Sequence, residues 1–447
     1  MVRNNSCAAD GDGVCPAQLI TTCTPFPYPP PRNLIDFRIH RTDEEGPPLA
    51  KIGKKTFMIF GSFSGANSGD VAILDVLIER LVSLFPSSTF YVPTSVPAFL
   101  NDTHWSTRFD LRPISMRRRH FAHAFLSGQV LAKIRKCDAV FTTANMFFDK
   151  QLFNPWNNFL FSLLPVLWFY RICNPRGKII ASSVSIQPAT SLLGKHILRK
   201  ALELHDLVAV RDSNSLLVAD GLSKNIRVAG HYPDLVVTDH AHLPGSRQLP
   251  EIDRQDKKLI GINLSPYFGG ELVAINEEIM SGWINFFSSL VLKLEGGGQN
   301  KVIFVMTQSF NEWIVDEISK LLKRNVPVFG PSTHNYHDLQ HLVSQLDVYL
   351  TMRMHGAIFA FSAGVPAVGL CFTRKLRNFY SDYGLGEFQI DLKPNDYAQD
   401  QILSQVMDRI GHCVDLPKSR KKQFKLKLAQ HRSRQDQLFE SIKETIE

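Results

Sequence analysis

Residues 57–81 read FMIFGSFSGANSGDVAILDVLIERL. They begin with four consecutive apolar residues, continue through a glycine-rich turn, and end in a segment whose apolar residues recur at helical spacing. A strand that is apolar on both sides is typical of a parallel sheet buried between two layers of helices. The stretch therefore predicts a strand, a turn and a helix of an α/β protein.

The same order of strand and helix recurs along the rest of the chain. Apolar runs predict strands in two groups, at 57–60, 90–92, 139–142, 179–182 and 207–210, and at 259–264, 302–306, 326–329, 348–350 and 367–370. Helical spacing predicts helices near 70–85, 120–136, 150–172, 190–204 and 213–220, and near 272–294, 311–324, 337–346, 355–363 and 400–412. Two such sets in succession predict two doubly wound Rossmann-like domains that face each other across a cleft.

This pattern divides the chain into four segments. We expect an irregular, proline-rich extension over 1–55 and an N-terminal Rossmann-like domain over 56–245. A C-terminal Rossmann-like domain is expected over 257–398, followed by a helical segment over 399–447.

The net charge of +8 is concentrated in one segment. Residues 417–434 contain eight Lys and Arg and no acid, so the other residues sum to zero. The apolar residues of this region recur on one helical face, namely Phe424, Leu428, Leu438, Phe439, Ile442 and Ile446. We therefore expect a basic C-terminal helix whose charged face is either solvated or in peripheral contact with an anionic membrane. Nucleic-acid binding is disfavoured, because no base-stacking motif accompanies the run.

The cysteines and the apolar runs bear on metal binding and location. The seven cysteines include no CxxC pair, so no metal site is expected. Their count is odd and no apolar signal segment follows Arg3, which favours a reducing, cytoplasmic location. The longest apolar run, 159–170, is shorter than the about 20 residues needed to span a bilayer and predicts a buried helix.

The turns that follow the strands are the candidate functional site, because doubly wound folds bind ligands at the carboxyl ends of their strands. In the turn 61–70, Gly65 and Gly69 allow close backbone approach, and Asn67 can cap the next helix. Asp70 is either a second cap or a carboxylate that acts on a ligand, and the whole turn is equally compatible with a plain tight turn.

Basic side chains follow two other predicted strands. Arg211 comes after 207–210, and Arg353 and His355 come after 348–350. Arginine offers a fixed fork of donors to phosphate or carboxylate, and histidine can exchange a proton near neutral pH. The alternatives are a surface pair between Arg211 and its neighbour Asp212, and a purely structural histidine.

Taken in order, these turns resemble the polysaccharide pyruvyl transferase family. MIFGSFSGANSGDVAILDVLIERL (58–81) looks like the first strand, turn and helix of the family, and VAVRDSNSLLVADG (208–221) looks like its R-D-x-x-S segment. PDLVV (233–237) resembles its Pro-Asp element, and RMHGAIFAFSAGVPAVGL (353–370) is similar to its R-x-H hallmark. The stretch from Lys375 to Gly386 resembles its closing segment, so the resemblance covers about residues 56–395.

The resemblance implies a fold like that of GT-B glycosyltransferases. It also implies transfer of a pyruvyl group from phosphoenolpyruvate to two sugar hydroxyls, giving a cyclic ketal and phosphate without a cofactor. The implied donor site consists of Arg211, Arg353, Met354 and Lys375, and the implied catalytic residues are His355 and Asp70. The implied acceptor and loop residues are Gly65, Asn67, Gly69 and Asp149. The partners would be phosphoenolpyruvate and a sugar or glycan that is either free or lipid-linked.

The sequence departs from the family pattern in the N-terminal half. The segment 142–149 lacks the glycines of the family turn, although Asp149 keeps its acid, and 184–188 replaces a G-x-G-P turn. Two alternatives stay open beside the pyruvyl transferase. One is a GT-B glycosyltransferase that uses a nucleotide sugar, and the other is a non-catalytic glycan-binding homologue.

Overall fold

Seven parallel strands form the sheet of the N-terminal half, in a computed structural model of the chain. The structure describes residues 54–101, 105, 107–116, 125–144, 146–147, 159–189, 191–238, 252–254, 256–265 and 276–447, all within the unit Ile52–Glu447. The strands are β1 Thr56–Phe60, β2 Thr89–Thr94, β3 Asp110–Ser115, β4 Ala139–Thr143, β5 Lys178–Val184, β6 Leu207–Val210 and β7 Val228–His231. Their spatial order is β3-β2-β1-β4-β5-β6-β7. The order reverses between β1 and β4, which is the position where such folds bind ligands.

Six described helices accompany this sheet. They are α1 Ser68–Leu84, α2 Pro97–Leu100, α3 Gly128–Ile134, α4 Phe159–Cys173, α5 Leu192–Glu203 and α6 Ser213–Leu222. Helix α1 covers one face of the sheet, while α3 to α6 cover the other face and enclose a second hydrophobic core. The fully apolar strands are thus buried on both sides, as their composition predicts.

The C-terminal half repeats the arrangement with six parallel strands. They are β8 Lys258–Asn263, β9 Asn300–Val305, β10 Val328–Phe329, β11 Val348–Thr351, β12 Ala367–Cys371 and β13 Gln389–Asp391, in the order β10-β9-β8-β11-β12-β13. Its helices are α7 Glu277–Gly296, α8 Trp313–Leu322, α9 Tyr336–Ser344, α10 Met354–Ala363, α11 Arg374–Asp382, α12 Asp400–Val414 and α13 Lys418–Ile446. The predicted fold of two doubly wound α/β domains is confirmed.

The strand predictions omit β3, β7 and β13, and the helix predictions omit α2 and α11. All three strands lie at an edge of their sheet, and β3 alternates exposed with half-buried residues and contains Pro113. An edge strand is covered less completely than a central one, so its sequence lacks the continuous apolar run. The N-terminal extension, apart from Lys54 and Lys55, lies outside the described residues.

Helix α4 contains the longest apolar run and packs on the sheet as predicted, with Leu160, Leu163, Leu167 and Tyr170 buried. Within the described part of the chain, no helix is both long and apolar enough to cross a bilayer.

The C-terminal helix α13 returns to pack against both halves. Its predicted apolar face is confirmed, because all six residues of that face are buried. The ring of Phe424 contacts Phe361 of α10, whereas the guanidinium of Arg80 in α1 lies 4.8 Å from the centre of the Phe439 ring. Two polar residues, His431 and Gln435, interrupt this face at the middle of the helix.

Four of the eight basic residues in 417–434 bind within the protein. Arg420 pairs with Glu387, and Lys427 donates to the carbonyl of Gly384 at 2.5 Å. Two further carbonyls accept hydrogen bonds from Arg432 and Arg434. These four side chains are held by contacts at the protein surface, and contact of the basic run with solvent or with a membrane stays a prediction.

Helix α1 also carries a buried carboxylate that joins the two halves. Asp75 is fully buried and accepts hydrogen bonds from the Tyr336 hydroxyl and, at 3.1 Å, from the ring of His337 in α9. Arg108 approaches the same carboxylate at 3.4 Å.

Candidate active site

The turn between β1 and α1 carries Asp70 to the carboxyl edge of the first sheet. Asn67 caps α1, because its side-chain oxygen accepts from the N–H of Gly69 at 3.1 Å. The amide nitrogen of Asn67 donates to Asp70 at 2.9 Å and so fixes the carboxylate. Gly65 has a φ of +80°, and a Cβ atom there would lie 2.7 Å from the ring of Phe99. Gly65 and Asn67 therefore shape the turn that holds Asp70.

This turn is joined to the C-terminal half by main-chain hydrogen bonds. The N–H of Ser68 donates to the carbonyl of Thr307 at 3.0 Å, and the N–H of Ser309 donates to that of Ala66 at 3.1 Å. The two strand-end loops are thus fixed to each other where the halves meet.

His355 of α10 packs directly on the backbone of Gly69. A Cβ atom on Gly69 would stand 1.9 Å from Nδ1 of His355, so only a glycine allows this approach. Two residues proposed from separate motifs, in separate halves, are therefore neighbours.

Arg211 lies buried at the end of β6 and pairs with Asp234. Its Nη1 donates to Oδ2 of Asp234 at 2.8 Å, and the same oxygen lies 4.0 Å from Nε2 of His355. The alternative of a surface pair between Arg211 and Asp212 is wrong. Asp212 instead caps α6, where it accepts from the N–H of Ser215 at 2.8 Å.

The charges around the site shift two pKa values in opposite directions. Burial raises the pKa of Asp70 to about 6, against the opposing effect of Arg211 and Lys375. Burial lowers the pKa of His355 to about 4; Asp234 opposes the shift, while Arg211, Lys375 and Arg353 add to it. At neutral pH the imidazole is therefore neutral, and Asp70 titrates close to neutrality. Lys375 contributes to both shifts, so its charge lies near both groups.

The remaining proposed donor residues begin the helices α10 and α11. Arg353 precedes α10 in an extended conformation, and its N–H donates to the side chain of Thr351 at 3.0 Å. Met354, the first residue of α10, is half-buried. Helix α11 carries Lys375 and is fixed at its end to the other half, where Asp382 accepts from the N–H of Ser213 at 2.9 Å.

Asp234 was not among the proposed site residues, although the Pro-Asp element at 233–234 was a signal for it. Its N–H donates to the hydroxyl of Tyr383 at 3.3 Å, and its carbonyl accepts from the side chain of Gln435 at 3.3 Å. Gln435 also donates to the carbonyl of Leu235 at 2.8 Å, and the ring of Tyr383 stacks on His431 at 4.0 Å. His431 and Gln435 are the two polar residues that interrupt the apolar face of α13. They are the sequence signal from which these contacts around Asp234 could have been predicted.

The backbone is left-handed at two residues in or beside the segments that lack the family glycines, 142–149 and 184–188. Ala144 and Ser183, at the ends of β4 and β5, have φ values of 61° and 52°, which non-glycine residues rarely adopt. The side chain of Ser183 donates to the carbonyl of Pro233 at 2.8 Å and so contacts the loop that carries Asp234. Asp149 lies outside the described residues.

Comparisons with known proteins add the following findings. The model of a family described as polysaccharide pyruvyl transferase matches residues 67–370. No curated protein matches the chain.

Several solved structures share the fold. The UDP-GlcNAc 2-epimerase from Neisseria meningitidis bound to UDP-GlcNAc has 12% identity and a TM-score of 0.52, over 83% of this chain and 94% of that one. Anabaena Alr3699/HepE in complex with UDP-glucose has 13% identity and a TM-score of 0.51, over 87% of this chain and 99% of that one. At such low identity the likeness shows the fold alone, which is of the GT-B type.

Proposed function

Because the chain belongs to the polysaccharide pyruvyl transferase family, we propose that it transfers a pyruvyl group from phosphoenolpyruvate to two hydroxyls of a sugar in a polysaccharide or glycan. The observation that carries the proposal is the contact between His355 and Gly69 beside the pair of Arg211 and Asp234. The neutral imidazole of His355 therefore lies near the carboxylate of Asp70, whose pKa is raised, and near several cations. Such a set suits a donor with two anionic groups whose reaction moves protons.

The donor carries a phosphate and a carboxylate, and the proposed site offers three cations to them. Arg353 and Lys375 stand at the starts of α10 and α11, and Arg211 follows the end of β6. Only part of the Arg211 fork is used by Asp234, since its Nε makes no hydrogen bond within the described residues. The remaining N–H groups are suited to a bidentate contact with phosphate or carboxylate.

The proposed reaction releases one proton from each of the two sugar hydroxyls, and each proton has an acceptor in the products. One sugar oxygen bonds to the central carbon of the donor, and the methylene carbon gains a proton. The bond from the central carbon to the phosphate oxygen then breaks, and phosphate leaves with the electron pair. The second sugar oxygen bonds to the same carbon and closes the ketal, so one hydroxyl proton ends on the methyl group and the other on phosphate.

Two residues are proposed to move these protons. The Nε2 atom of His355 makes no hydrogen bond within the described residues, and a neutral imidazole can accept a hydroxyl proton. The carboxylate of Asp234, at 4.0 Å, would stabilise the imidazolium that forms. Burial raises the pKa of Asp70 to about 6, and we assign to Asp70 the delivery of a proton to the methylene carbon.

The test is a donor screen with a galactoside or an N-acetylhexosamine as acceptor. We expect phosphate release from phosphoenolpyruvate that depends on the acceptor, and a mass gain of the acceptor that matches a pyruvate ketal. A folded His355→Ala variant should lose turnover. Phosphate release that is independent of the acceptor, or full turnover in that variant, would contradict the proposal.

A nucleotide-sugar transferase of the same architecture remains the second candidate. It is supported by neighbours whose structures contain UDP-GlcNAc or UDP-glucose. Thermal stabilisation by UDP but not by phosphoenolpyruvate would favour it. Tight glycan binding without a product from either donor would instead indicate a non-catalytic homologue.

A further inference from the structure

Helix α4 exposes an apolar ridge on its outer side. One face of the helix is buried in the second core, whereas Pro165, Trp168 and Ile172 lie on the opposite face at helical spacing. Trp168 is 63% exposed and Ile172 is 74% exposed. Large apolar side chains that are this exposed and adjacent to each other mark an interaction surface.

Helix α5 packs beside α4 on the same face of the sheet and extends this surface. Its first two residues, Leu192 and Leu193, are 85% and 59% exposed. The other side chains on its outer side are Lys195, His196, Arg199, Lys200 and Glu203, and the carboxylate of Glu203 pairs with Lys200 at 2.9 Å and lies 4.0 Å from Arg199. An apolar ridge on one helix therefore lies next to a ridge on its neighbour in which basic side chains outnumber acidic ones.

The charge of this region has one sign over a long stretch. No Asp or Glu stands between Asp149 and Glu203. Seven basic residues occupy the same stretch, namely Lys150, Arg171, Arg176, Lys178, Lys195, Arg199 and Lys200. Arg176 and Lys195 are exposed and make no ion pair within the described residues, so their charges are available to a partner.

We infer that the surface formed by α4 and α5 docks on an anionic lipid bilayer. A tryptophan and aliphatic side chains beside lysines and arginines are the combination that inserts into a lipid interface and binds acidic headgroups. A symmetric contact between two copies would bring the two basic ridges together, and like charges disfavour it. The inference rests on this surface and does not depend on the proposed reaction.

The position of the surface fits a role near the site. Helix α5 follows β5, so its first turn with Leu192 and Leu193 points to the carboxyl edge of the sheet. Arg211 follows the neighbouring strand β6 at that same edge. A bilayer bound to this surface would therefore lie beside the N-terminal half, which contains the implied acceptor residues Gly65, Asn67 and Gly69.

The experiment is co-sedimentation of the full chain with vesicles of phosphatidylcholine, alone or mixed with phosphatidylserine, at low and high salt. We expect binding to the mixed vesicles that weakens with salt. The variant Trp168→Ser/Ile172→Ser should lower partitioning by at least about tenfold. The variant Arg176→Ser/Lys195→Ser should lower it by roughly tenfold on the anionic vesicles and reduce the salt dependence.

The matched control lies on α13 in the basic run. Leu426 is 61% exposed and adjacent to the exposed Lys425. The variant Leu426→Ser/Lys425→Ser therefore removes one apolar and one basic side chain from a different surface. We expect it to bind like the native chain. Thermal melting should be the same for all variants, because every substituted side chain is exposed.

Three results would overturn the inference. The first is no binding of the native chain to anionic vesicles, and the second is undiminished binding by both α4–α5 variants. The third is loss of binding only in the α13 control. Self-association that Trp168→Ser/Ile172→Ser abolishes, without vesicle binding, would assign the surface to a second copy of the chain. None of these measurements requires a donor or an acceptor.

Discussion

A methyl group on Gly69 would stand 1.9 Å from Nδ1 of His355, although the two residues belong to different halves of the protein. The imidazole occupies the space that a side chain at position 69 would fill. The requirement for glycine at the start of α1 therefore comes from the proposed catalytic histidine and not from the helix itself.

The first prediction concerns this contact. Gly69→Ala should displace the imidazole, lower turnover by about a hundredfold, and destabilise the fold by about 1–3 kcal/mol. In a His355→Ala background the same substitution should cost little, because the ring is absent. Urea unfolding of the four proteins of this cycle measures the coupling.

The matched control is Gly221→Ala in α6. A Cβ atom at Gly221 would meet nothing within 4 Å, so this change should leave turnover intact and stabilise the helix by up to about 1 kcal/mol. Equal effects of the two alanines would show that the contact with His355 is irrelevant.

The second prediction concerns Asp70 and pH. Its pKa is raised from 3.8 to about 6, so the native state binds more protons than the unfolded state between these values. Ionisation of this carboxylate therefore lowers the free energy of unfolding above about pH 6, and the loss disappears below about pH 4. Asp70→Asn should raise the free energy of unfolding by about 1–2 kcal/mol at pH 8 and abolish turnover.

Urea unfolding at pH 8 and at pH 4 checks this sign. The exposed Asp220 in α6 provides a control, since Asp220→Asn should change stability little at either pH. An Asp70→Asn protein that is less stable than the native chain at pH 8 would refute the raised pKa.

The third prediction concerns Gln435, which we regard as a positioning residue for Asp234. Gln435→Glu keeps the shape of the side chain but replaces the donating amide with an acceptor that faces two carbonyls. It should lower kcat by about tenfold or more, and cost about 1–3 kcal/mol of stability. The pH profile should also shift, because Asp234 influences the pKa of His355.

Gln437→Glu is the control for this change, since Gln437 is exposed on the same helix. Steady-state kinetics in both substrates separates kcat from KM. If the Gln435→Glu protein loses stability but keeps both kcat and its pH profile, Gln435 has a structural role only.

The fourth prediction concerns the left-handed backbone at Ala144. Because a Cβ atom disfavours this conformation, Ala144→Gly should stabilise the protein by about 0.5–1 kcal/mol. Ser183→Gly should gain less, because it also removes the hydrogen bond to Pro233. Chemical denaturation measures both, and Ala132→Gly in α3 should be destabilising by up to about 1 kcal/mol.

The sequence was informative where one physical cause dominated. Central strands such as 207–210 are apolar on both sides because both sides are buried, so their positions could be predicted closely. The edge strand β3 has no such pattern, because its side chains are partly exposed. Its pairing with β2 depends on partners distant in the chain, which local composition does not record.

The same distinction holds for the candidate site. Arg211, Arg353 and His355 could be proposed because each directly follows an apolar strand. Asp234 could not be proposed with equal weight, because its role depends on packing between its loop, Tyr383 and Gln435. The contact of His355 with Gly69 also joins positions far apart in the chain, so neither motif alone predicts it.

The larger hydrophobic core has a consequence for how the protein unfolds. It contains buried residues from β1 and α1 as well as those of the C-terminal sheet, and the buried carboxylate of Asp75 binds across the same boundary. Neither half can lose its structure without exposing apolar surface and unpaired polar groups of the other. The two sheets should therefore denature together in one cooperative transition. A destabilising substitution in either half would then lower the folded fraction of the whole chain.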